Sequence, residues 1–309
     1  MKELRARVGE ELAQVIVGQE AAIDQLLAAL VLGGHVLLEG VPGVAKSLLA
    51  SGFARAIGGD FRRVQFTPDM LPSDLTGTVV LQYGELAFRP GPVFTNVLLA
   101  DEINRTPPKT QSALLEAMQE RQVSADGTSH ALPDPFIVVA TQNPIEYEGT
   151  YPLPEAQLDR FLVRVEVGYP SEPEEIAVLG LGRTGVSAPS LDGIATVLDG
   201  ATLAAARTAV DATTVSPQVA AYVVAVARAT RGLPSVALGA SPRAAVHLLG
   251  AARAAARLAG RDFVTPDDVA AMAPAVLGHR LVLTPEAELE RFGPAQAIAS
   301  ALSSVPVPR

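Results

Sequence analysis

Short apolar runs alternate with helical periodicity along the chain from the N-terminus to Pro170. Five of these runs are rich in leucine or β-branched residues and are bounded by Gly, Pro, Asp or Asn, which is typical of buried strands. They cover residues 35–38, 63–66, 97–100, 136–140 and 161–167, and helices are expected over residues 21–32, 46–56 and 110–121. Strands that alternate with helices predict a mostly parallel sheet with helices on both faces, which is an α/β fold.

The pattern changes after Pro170, where strand signals disappear and alanine becomes frequent. Helices are expected to begin where Ser or Thr precedes Pro, because the hydroxyl caps the helix and proline presets the first helical φ. Such pairs begin at Ser216, Ser241 and Thr265. We therefore predict a core over residues 1–180, a linker over residues 181–195 and a smaller all-α domain over residues 196–309. The linker assignment rests on the weakly patterned stretch 182–193.

Two segments of the predicted core interrupt this alternation. Residues 76–94 and residues 121–136 have the pattern of β-hairpins, and the second centres on Asp126-Gly127, a dipeptide that favours tight hairpin turns. Such inserts are either surface decoration or binding elements, since loops on a rigid sheet often carry binding functions. The residues alone leave both interpretations open.

Composition narrows the class of protein. The chain has 309 residues, 49% of them hydrophobic, with no cysteine, a formal net charge of -9 and only three lysines. No apolar run approaches the roughly 18 residues of a membrane span, and the charged N-terminus lacks the apolar core of a signal peptide. We expect a cytoplasmic protein with no membrane span and no disulfides. Nucleic acid is an unlikely partner, because little basic charge is available to displace its counterions.

A glycine-rich loop, GVPGVAKS, joins the first predicted strand to a predicted helix. In this context backbone N–H groups hold phosphates, the lysine reaches the outer phosphates, and the hydroxyl binds Mg²⁺. The expected nucleotide-contacting residues are Gly40, Val41, Pro42, Gly43, Val44, Ala45, Lys46, Ser47 and Leu48. Ala45 stands where the generic motif has glycine, and we expect its φ to be negative. The alternative is a tight strand-to-helix turn without a ligand.

Further polar residues follow two other predicted strands. Asp101 and Glu102 end the strand at 97–100, where one carboxylate can hold Mg²⁺ with Ser47, partly through water, while the other polarises an attacking water. Asn143 follows the strand at 136–140, at the same edge of the sheet, where its amide can orient that water. Taken alone, the acids can be helix caps and Asn143 part of an Asn-Pro turn. Beside a phosphate loop, the acids favour ATP and Mg²⁺ as ligands.

Two arginines complete the candidate set. Arg160 ends a short predicted helix, where a guanidinium can stabilise charge on a phosphoryl group in its own site or a neighbour's. A surface ion pair with Glu155 or Asp159 is the alternative. Arg243 occupies the second position of a predicted helix, against the helix dipole, which indicates that an anion lies nearby.

These motifs occur in an order that resembles the MoxR family of AAA+ ATPases over nearly the whole chain. The resemblance is carried by IVGQE at residues 16–20, GVPGVAKS at 40–47, LLADEINRTPPKTQSALLEAMQE at 98–120, ATQNP at 140–144, YPLPEAQLDRF at 151–161 and SPRA at 241–244. It implies a P-loop AAA+ core followed by a helical lid domain. The two hairpins resemble the inserts that this branch shares with magnesium chelatase and replicative helicase subunits.

The resemblance also implies a role for each candidate residue. Lys46 and Ser47 would bind phosphate and Mg²⁺, Asp101 and Glu102 would form the Walker B pair, Asn143 would be sensor 1, Arg160 the arginine finger and Arg243 sensor 2, with Val17 and Gly18 beside the adenine. Arg105 and Arg121 also follow functional segments, so they stay open as alternatives to Arg160.

The function implied by the resemblance is a Mg²⁺-dependent, ATP-driven remodelling ring, expected to be a hexamer. It would act on protein clients with a von Willebrand factor A domain partner, often in metal or cofactor insertion or complex maturation. The alternatives are a nucleic-acid-stimulated motor, a magnesium-chelatase-like subunit, or a module that switches without turnover. The second hairpin offers only His130 as a basic residue over 124–131, which argues against nucleic acid, and an intact Glu102 argues against a module without turnover.

Overall fold

A parallel sheet, two hairpins and a C-terminal helical region make up the fold in this computed structural model, which describes residues 1–82, 84–125, 127–143, 149–181 and 189–308. The strands are β1 Val36–Glu39, β2 Phe61–Gln65, β3 Gly77–Gln82, β4 Glu85–Pro90, β5 Val97–Asp101, β6 Gln122–Ala125, β7 Thr128–Ala131, β8 Ile137–Gln142, β9 Val163–Glu166, β10 Val236–Leu238 and β11 Val282–Leu283. The helices are α1 Lys2–Leu12, α2 Glu20–Leu32, α3 Lys46–Ala56, α4 Pro72–Thr76, α5 Pro108–Glu120, α6 Glu155–Leu158, α7 Glu172–Leu179, α8 Gly200–Asp211, α9 Pro217–Thr230, α10 Pro242–Leu258, α11 Pro266–Leu277, α12 Pro285–Leu289 and α13 Pro294–Ser304. Short 3₁₀ turns cover Ile103–Arg105 and Gly278–Arg280.

The central sheet has five parallel strands in the order β2-β5-β8-β1-β9. This confirms the predicted α/β class and all five predicted strands, with ends that shift by one or two residues. Because β5, β8 and β1 lie side by side, their carboxyl ends meet at one edge of the sheet. The residues that follow these strands are therefore brought together there.

Alternate side chains of the strands enter two apolar cores. Val36 and Leu38 of β1 belong to the core that also contains α1, α2, α3 and the C-terminal helices. Leu37 of β1 belongs to the core on the opposite face, where Leu114 and Met118 of α5 pack. Burial on both faces makes the sheet a rigid support for the loops at its edge.

Both predicted hairpins are present. β3 pairs with β4, and β6 pairs with β7, each antiparallel. Tyr83 and Asp126 lie outside the described residues. The two hairpins touch each other, because the ring of Phe88 on β4 stacks on His130 of β7 with centroids 3.9 Å apart, and Phe94 meets Phe88 edge-on at 5.5 Å.

The C-terminal region is helical, as predicted. Ser216, Ser241 and Thr265 are the N-caps of α9, α10 and α11, and each hydroxyl accepts a backbone N–H from the first turn. The expectation of an all-α region is wrong in one respect, because β10 and β11 form a small antiparallel pair. Strands of three and two residues are too short to show a period-2 pattern in the sequence.

Part of the predicted linker, residues 182–188, lies outside the described residues, and the division at residues 180 and 195 stays a prediction. Within the described ranges, no helix has the length and apolar character needed to cross a membrane.

Candidate nucleotide site

The phosphate loop connects the end of β1 to the start of α3. Gly43 has a φ of +88° and Ala45 a φ of +62°, so both residues lie in the left-handed region. The expectation that Ala45 keeps a negative φ is therefore wrong. Alanine adopts this conformation at a cost of roughly 1–2 kcal/mol, whereas glycine adopts it freely. Backbone strain of this kind is characteristic of ligand-binding loops.

Lys46 reaches across the mouth of this loop. Its Nζ donates to the carbonyl of Gly40 and, over 3.4 Å, to the carbonyl of Gln142 at the end of β8. The ammonium group thus lies between the carboxyl ends of β1 and β8, where it can meet an anion held by the loop.

Ser47 and Asp101 bring two oxygen atoms together beside the loop. Ser47 Oγ donates to Asp101 Oδ2 over 3.2 Å, while Thr141 Oγ1 donates to Asp101 Oδ1 over 2.5 Å. Mg²⁺ is commonly held by one or two protein oxygens while substrate phosphates and water complete its octahedron. The donor set of Ser47 and Asp101 fits that requirement, and Asp101 is only 7% exposed.

Two residues of β2 that the sequence analysis missed contact the acidic pair. Arg63 Nη2 lies 2.7 Å from Asp101 Oδ2, and Gln65 Nε2 donates to Glu102 Oε2 over 2.5 Å. The signal was present in the sequence as two polar residues at alternate positions of a strand. Its meaning depends on the pairing of β2 with β5, which aligns Gln65 with Asp101.

Glu102 is held by its own chain on several sides. It has a left-handed φ of +59°, and its backbone N–H donates to Thr141 Oγ1 over 2.9 Å. Its Oε2 also lies 3.0 Å from Arg105 Nε. Thr141 therefore holds the carboxylate of Asp101 and the backbone of Glu102, and Arg105 is engaged beside the acidic pair of its own chain.

Asn143 follows β8 directly and is 5% exposed. The register aligns Gln142 with Glu39, so Asn143 lies at the sheet edge that carries Lys46 and Asp101. The prediction that the chain brings these three residues to one edge agrees with the strand order. Residues 144–148, including the proline of the ATQNP motif, lie outside the described residues.

An apolar cavity of about 240 Å³ adjoins the phosphate loop. It is lined by Val15, Ile16, Val17, Gln19, Gly43, Val44, Ala45, Leu48, Tyr169, Pro170, Glu175, Val178 and Leu181. Apolar walls next to a phosphate site suit a flat purine base. Val17 lines this cavity, whereas Gly18 lines the neighbouring cavity with Arg164. Tyr169 and Pro170 could not be predicted as part of this site, because only the fold brings them to the loop.

Arg160 and Arg243 line a different cavity, of about 340 Å³, together with Arg121. Arg243 is the second residue of α10, as predicted, and no phosphate-loop residue lines this cavity. In the part of the chain that the structure describes, no carboxylate lines it either. Asp159, offered above as an ion-pair partner of Arg160, pairs with Arg280 instead, with 3.0 Å between Oδ1 and Nε.

The histidine beside these arginines is neutral. Burial, together with the positive charges of the neighbouring Arg280 and Arg243, lowers the pKa of His247 to about 4. His247 adds no positive charge near pH 7, so the cationic character of the cavity comes from Arg121, Arg160 and Arg243.

Comparison with known proteins decides the family. A model of the ATPase family associated with various cellular activities (AAA) matches residues 35–163, and one of the AAA lid domain matches residues 228–301. The chain is 47% identical to the chaperone MoxR1 of Mycobacterium tuberculosis, over 97% of this chain and 81% of that protein. This chain belongs to the MoxR family of AAA ATPases. It is an ATPase, with the AAA fold and a helical lid.

Two further relatives match this MoxR-family chain nearly end to end. The uncharacterized protein YeaC of Bacillus subtilis is 47% identical over 99% of this chain and 95% of its own length. The crystal structure of a candidate ATPase from Cytophaga hutchinsonii is 40% identical, with a TM-score of 0.90 over 99% of this chain and 96% of that one.

Proposed function

We propose that this MoxR-family ATPase is Mg²⁺-dependent, assembles into a ring, expected to be a hexamer, and remodels protein clients. The observation that carries the ring assignment is the separation of two groups of residues. The phosphate loop and the acidic pair lie at one sheet edge, whereas Arg160 and Arg243 line a cavity that no phosphate-loop residue reaches. A second copy of the chain would unite the two groups.

Within one subunit, the residues at the sheet edge divide the chemistry of hydrolysis. Lys46 contacts the outer phosphates, and Asn143 orients the attacking water. Glu102, fixed by Thr141, accepts the proton of that water. When bound by Ser47 and Asp101, Mg²⁺ would neutralise charge on the phosphates.

The arginine cavity suits the phosphates of a neighbouring subunit's nucleotide. Three guanidinium groups, with no carboxylate among the described residues that line the cavity, are unusual on a chain of net charge -9, and they favour an anionic partner. Arg160 is the proposed arginine finger, and Arg243 assists it from the lid. Arg105 is the weaker alternative, because it is engaged with Glu102 of its own chain. Arg121 is the stronger one, because it lines the same cavity as Arg160, although its Nη2 also donates to the Gly33 carbonyl of its own chain.

A pair of variants tests the assignment of the hydrolytic residues. Glu102→Gln should keep ATP bound while turnover falls about 10²- to 10⁴-fold, because it removes the proton acceptor and keeps the shape. Lys46→Ala should weaken ATP binding itself. Phosphate release and nucleotide binding are measured for both, with and without Mg²⁺. Wild-type turnover by Glu102→Gln would mean that another group is the base.

Mixed rings test whether Arg160 acts on the neighbouring subunit. An Arg160→Ala chain has an intact pocket, and a Lys46→Ala chain has an intact arginine. Neither should hydrolyse ATP at an appreciable rate alone, yet a co-assembled mixture should recover activity at junctions where each supplies the missing part. Absence of recovery, with co-assembly shown by light scattering, would place Arg160 in its own subunit's site.

The proposed client is a protein. One relative bears the name chaperone, and the first hairpin exposes an apolar pair, Leu81 and Leu86, at 73% and 70%. Apolar side chains held out on a hairpin suit an unfolded or flexible polypeptide better than a phosphate backbone. A von Willebrand factor A domain partner and a role in metal or cofactor insertion or complex maturation are further parts of this proposal. They rest on the family resemblance.

A further inference from the structure

The chain segment that carries Arg160 is bound by the helical lid through buried donors. Arg280 lies in the turn Gly278–Arg280 after α11, with its side chain 2% exposed. Its Nη2 donates to the carbonyl of Phe161 over 2.6 Å and to the carbonyl of Asp159 over 3.4 Å. His279 Nε2 lies 3.1 Å from the same Phe161 carbonyl. The lid thus holds the backbone on both sides of Arg160.

The same guanidinium also contacts the helix that carries Arg243. Arg280 Nη2 lies 2.6 Å from Nδ1 of His247, which is one helical turn beyond Arg243 on α10. Burial lowers the pKa of Arg280 to about 10, so it is charged near neutral pH, and neutral His247 accepts its hydrogen bond at Nδ1. One buried side chain therefore joins the two elements that present Arg160 and Arg243.

The contacts of Arg280 are poorly suited to stabilising the fold. Arg280 Nε faces Asp159 Oδ1 at 3.0 Å without hydrogen-bond alignment, and across the described ranges no group accepts a hydrogen bond from Nη1. A buried charge with incomplete partners stabilises a fold less well than apolar side chains of similar volume. What the contacts do provide is a fixed geometry between two surfaces.

We propose that Arg280 is a positioning residue that sets Arg160 relative to Arg243, so that both guanidinium groups reach the same anion of the neighbouring subunit. The inference rests on the proposed function, in which Arg160 acts on the neighbour's nucleotide. It predicts that Arg280 is needed in the chain that supplies Arg160 and is dispensable in the chain that supplies the pocket.

The test places Arg280→Ala in one or the other partner of the mixed ring. The first mixture combines a Lys46→Ala, Arg280→Ala chain with an Arg160→Ala chain. The second combines a Lys46→Ala chain with an Arg160→Ala, Arg280→Ala chain. In the first mixture, recovered turnover should fall about 10- to 100-fold, as for a small misplacement of a reacting group. In the second mixture, it should stay near the turnover of the reference mixture, which combines a Lys46→Ala chain with an Arg160→Ala chain. In a uniform Arg280→Ala ring, kcat should fall while KM for ATP changes little.

The controls separate positioning from folding. Arg257→Ala removes another lid arginine, whose Nε donates to Thr213 Oγ1 within the helical region, and it should leave recovery unchanged in both placements. If Arg280→Ala chains do not assemble, Asp159→Asn decides, because this 26% exposed carboxylate faces Arg280 and its loss should show the same asymmetry in milder form.

The outcomes distinguish this inference from the proposed function. Equal recovery in both placements, or equal loss in both, overturns the positioning role of Arg280. Absence of recovery in the reference mixture without Arg280→Ala overturns the action of Arg160 on its neighbour, and the present inference with it.

Discussion

Three non-glycine residues with positive φ lie at the candidate sites. Ala45 precedes α3 in the phosphate loop, Glu102 follows β5 in the acidic pair, and Arg121 ends α5 beside the arginine cavity, with φ values of 62°, 59° and 52°. Each turns the chain sharply at the end of a rigid element, where a functional group must face a ligand. The cost in backbone energy is consistent with positions kept for function rather than for stability.

Ala45→Gly should not destabilise the protein, and should stabilise it by up to about 1 kcal/mol. Relief of the left-handed strain is partly offset by the greater freedom of glycine in the unfolded chain. Ala6→Gly, on the exposed face of α1, is the matched control and should cost about 1 kcal/mol in an ordinary helix. Urea unfolding compares the two. Equal losses for both variants would show that Ala45 carries no strain.

At the scale of elements, the exposed pair on the first hairpin makes a prediction about clients. Leu81 and Leu86 face each other across β3 and β4. Changing both to serine should abolish binding of a reduced and alkylated model protein, because the apolar contact is lost. Basal ATP hydrolysis should stay within about twofold, since the phosphate loop and acidic pair lie on the rigid sheet.

The neighbouring cross-strand pair provides the control for this experiment. Gln82 and Glu85 are polar and closer to the turn, so serine at both should leave binding intact. Single- and double-stranded DNA are added at low salt to the same ATPase assay. Strong stimulation of ATP hydrolysis by DNA that disappears when Leu81 and Leu86 are changed to serine would contradict a protein client. It would support the alternative of a nucleic-acid-stimulated motor.

The elements themselves were largely predictable from sequence, for a physical reason. Buried parallel strands and amphipathic helices leave local patterns, so α3 was placed at its observed residues and both hairpins were found. The contacts of Arg63 and Arg280 were not predictable. They join residues that are 38 and 119 positions from their partners, and no local pattern records which strand or turn lies beside another. The prediction for Ala45 was wrong because it followed the usual preference of alanine for a negative φ, whereas the phosphate loop holds this residue in the left-handed region.

At the scale of the whole molecule, two buried histidines, His35 and His279, and the half-buried His247 link stability to pH. Burial is the main cause that lowers the pKa of His35 and His247 to about 4 and that of His279 to about 3. In the unfolded chain a histidine takes up a proton below about pH 6.5, whereas in the fold these three remain neutral until pH approaches 4 or lower. Their contribution to stability is therefore complete above pH 6.5 and declines as the pH falls.

The expected loss between pH 7.5 and pH 5 is about 2 kcal/mol each for His35 and His279 and smaller for the half-buried His247, because solvent screens its shift. Urea unfolding at the two pH values measures it. His35→Asn should be less stable than wild type at pH 7.5 and should lose less stability on acidification, because one of the three proton-linked sites is gone. An unchanged pH dependence in this variant would show that His35 does not remain neutral in the fold.

The stack of Phe88 on His130 has a mechanical consequence for both hairpins. A two-stranded hairpin alone in water is marginally stable and bends easily. Movement at its base would therefore not be transmitted to its tip. Two hairpins joined by the stacked side chains of Phe88 and His130 resist bending more than either hairpin would alone. In the proposed remodelling of protein clients, the distance between the stack and the turns then sets how much of each hairpin can bend against a client.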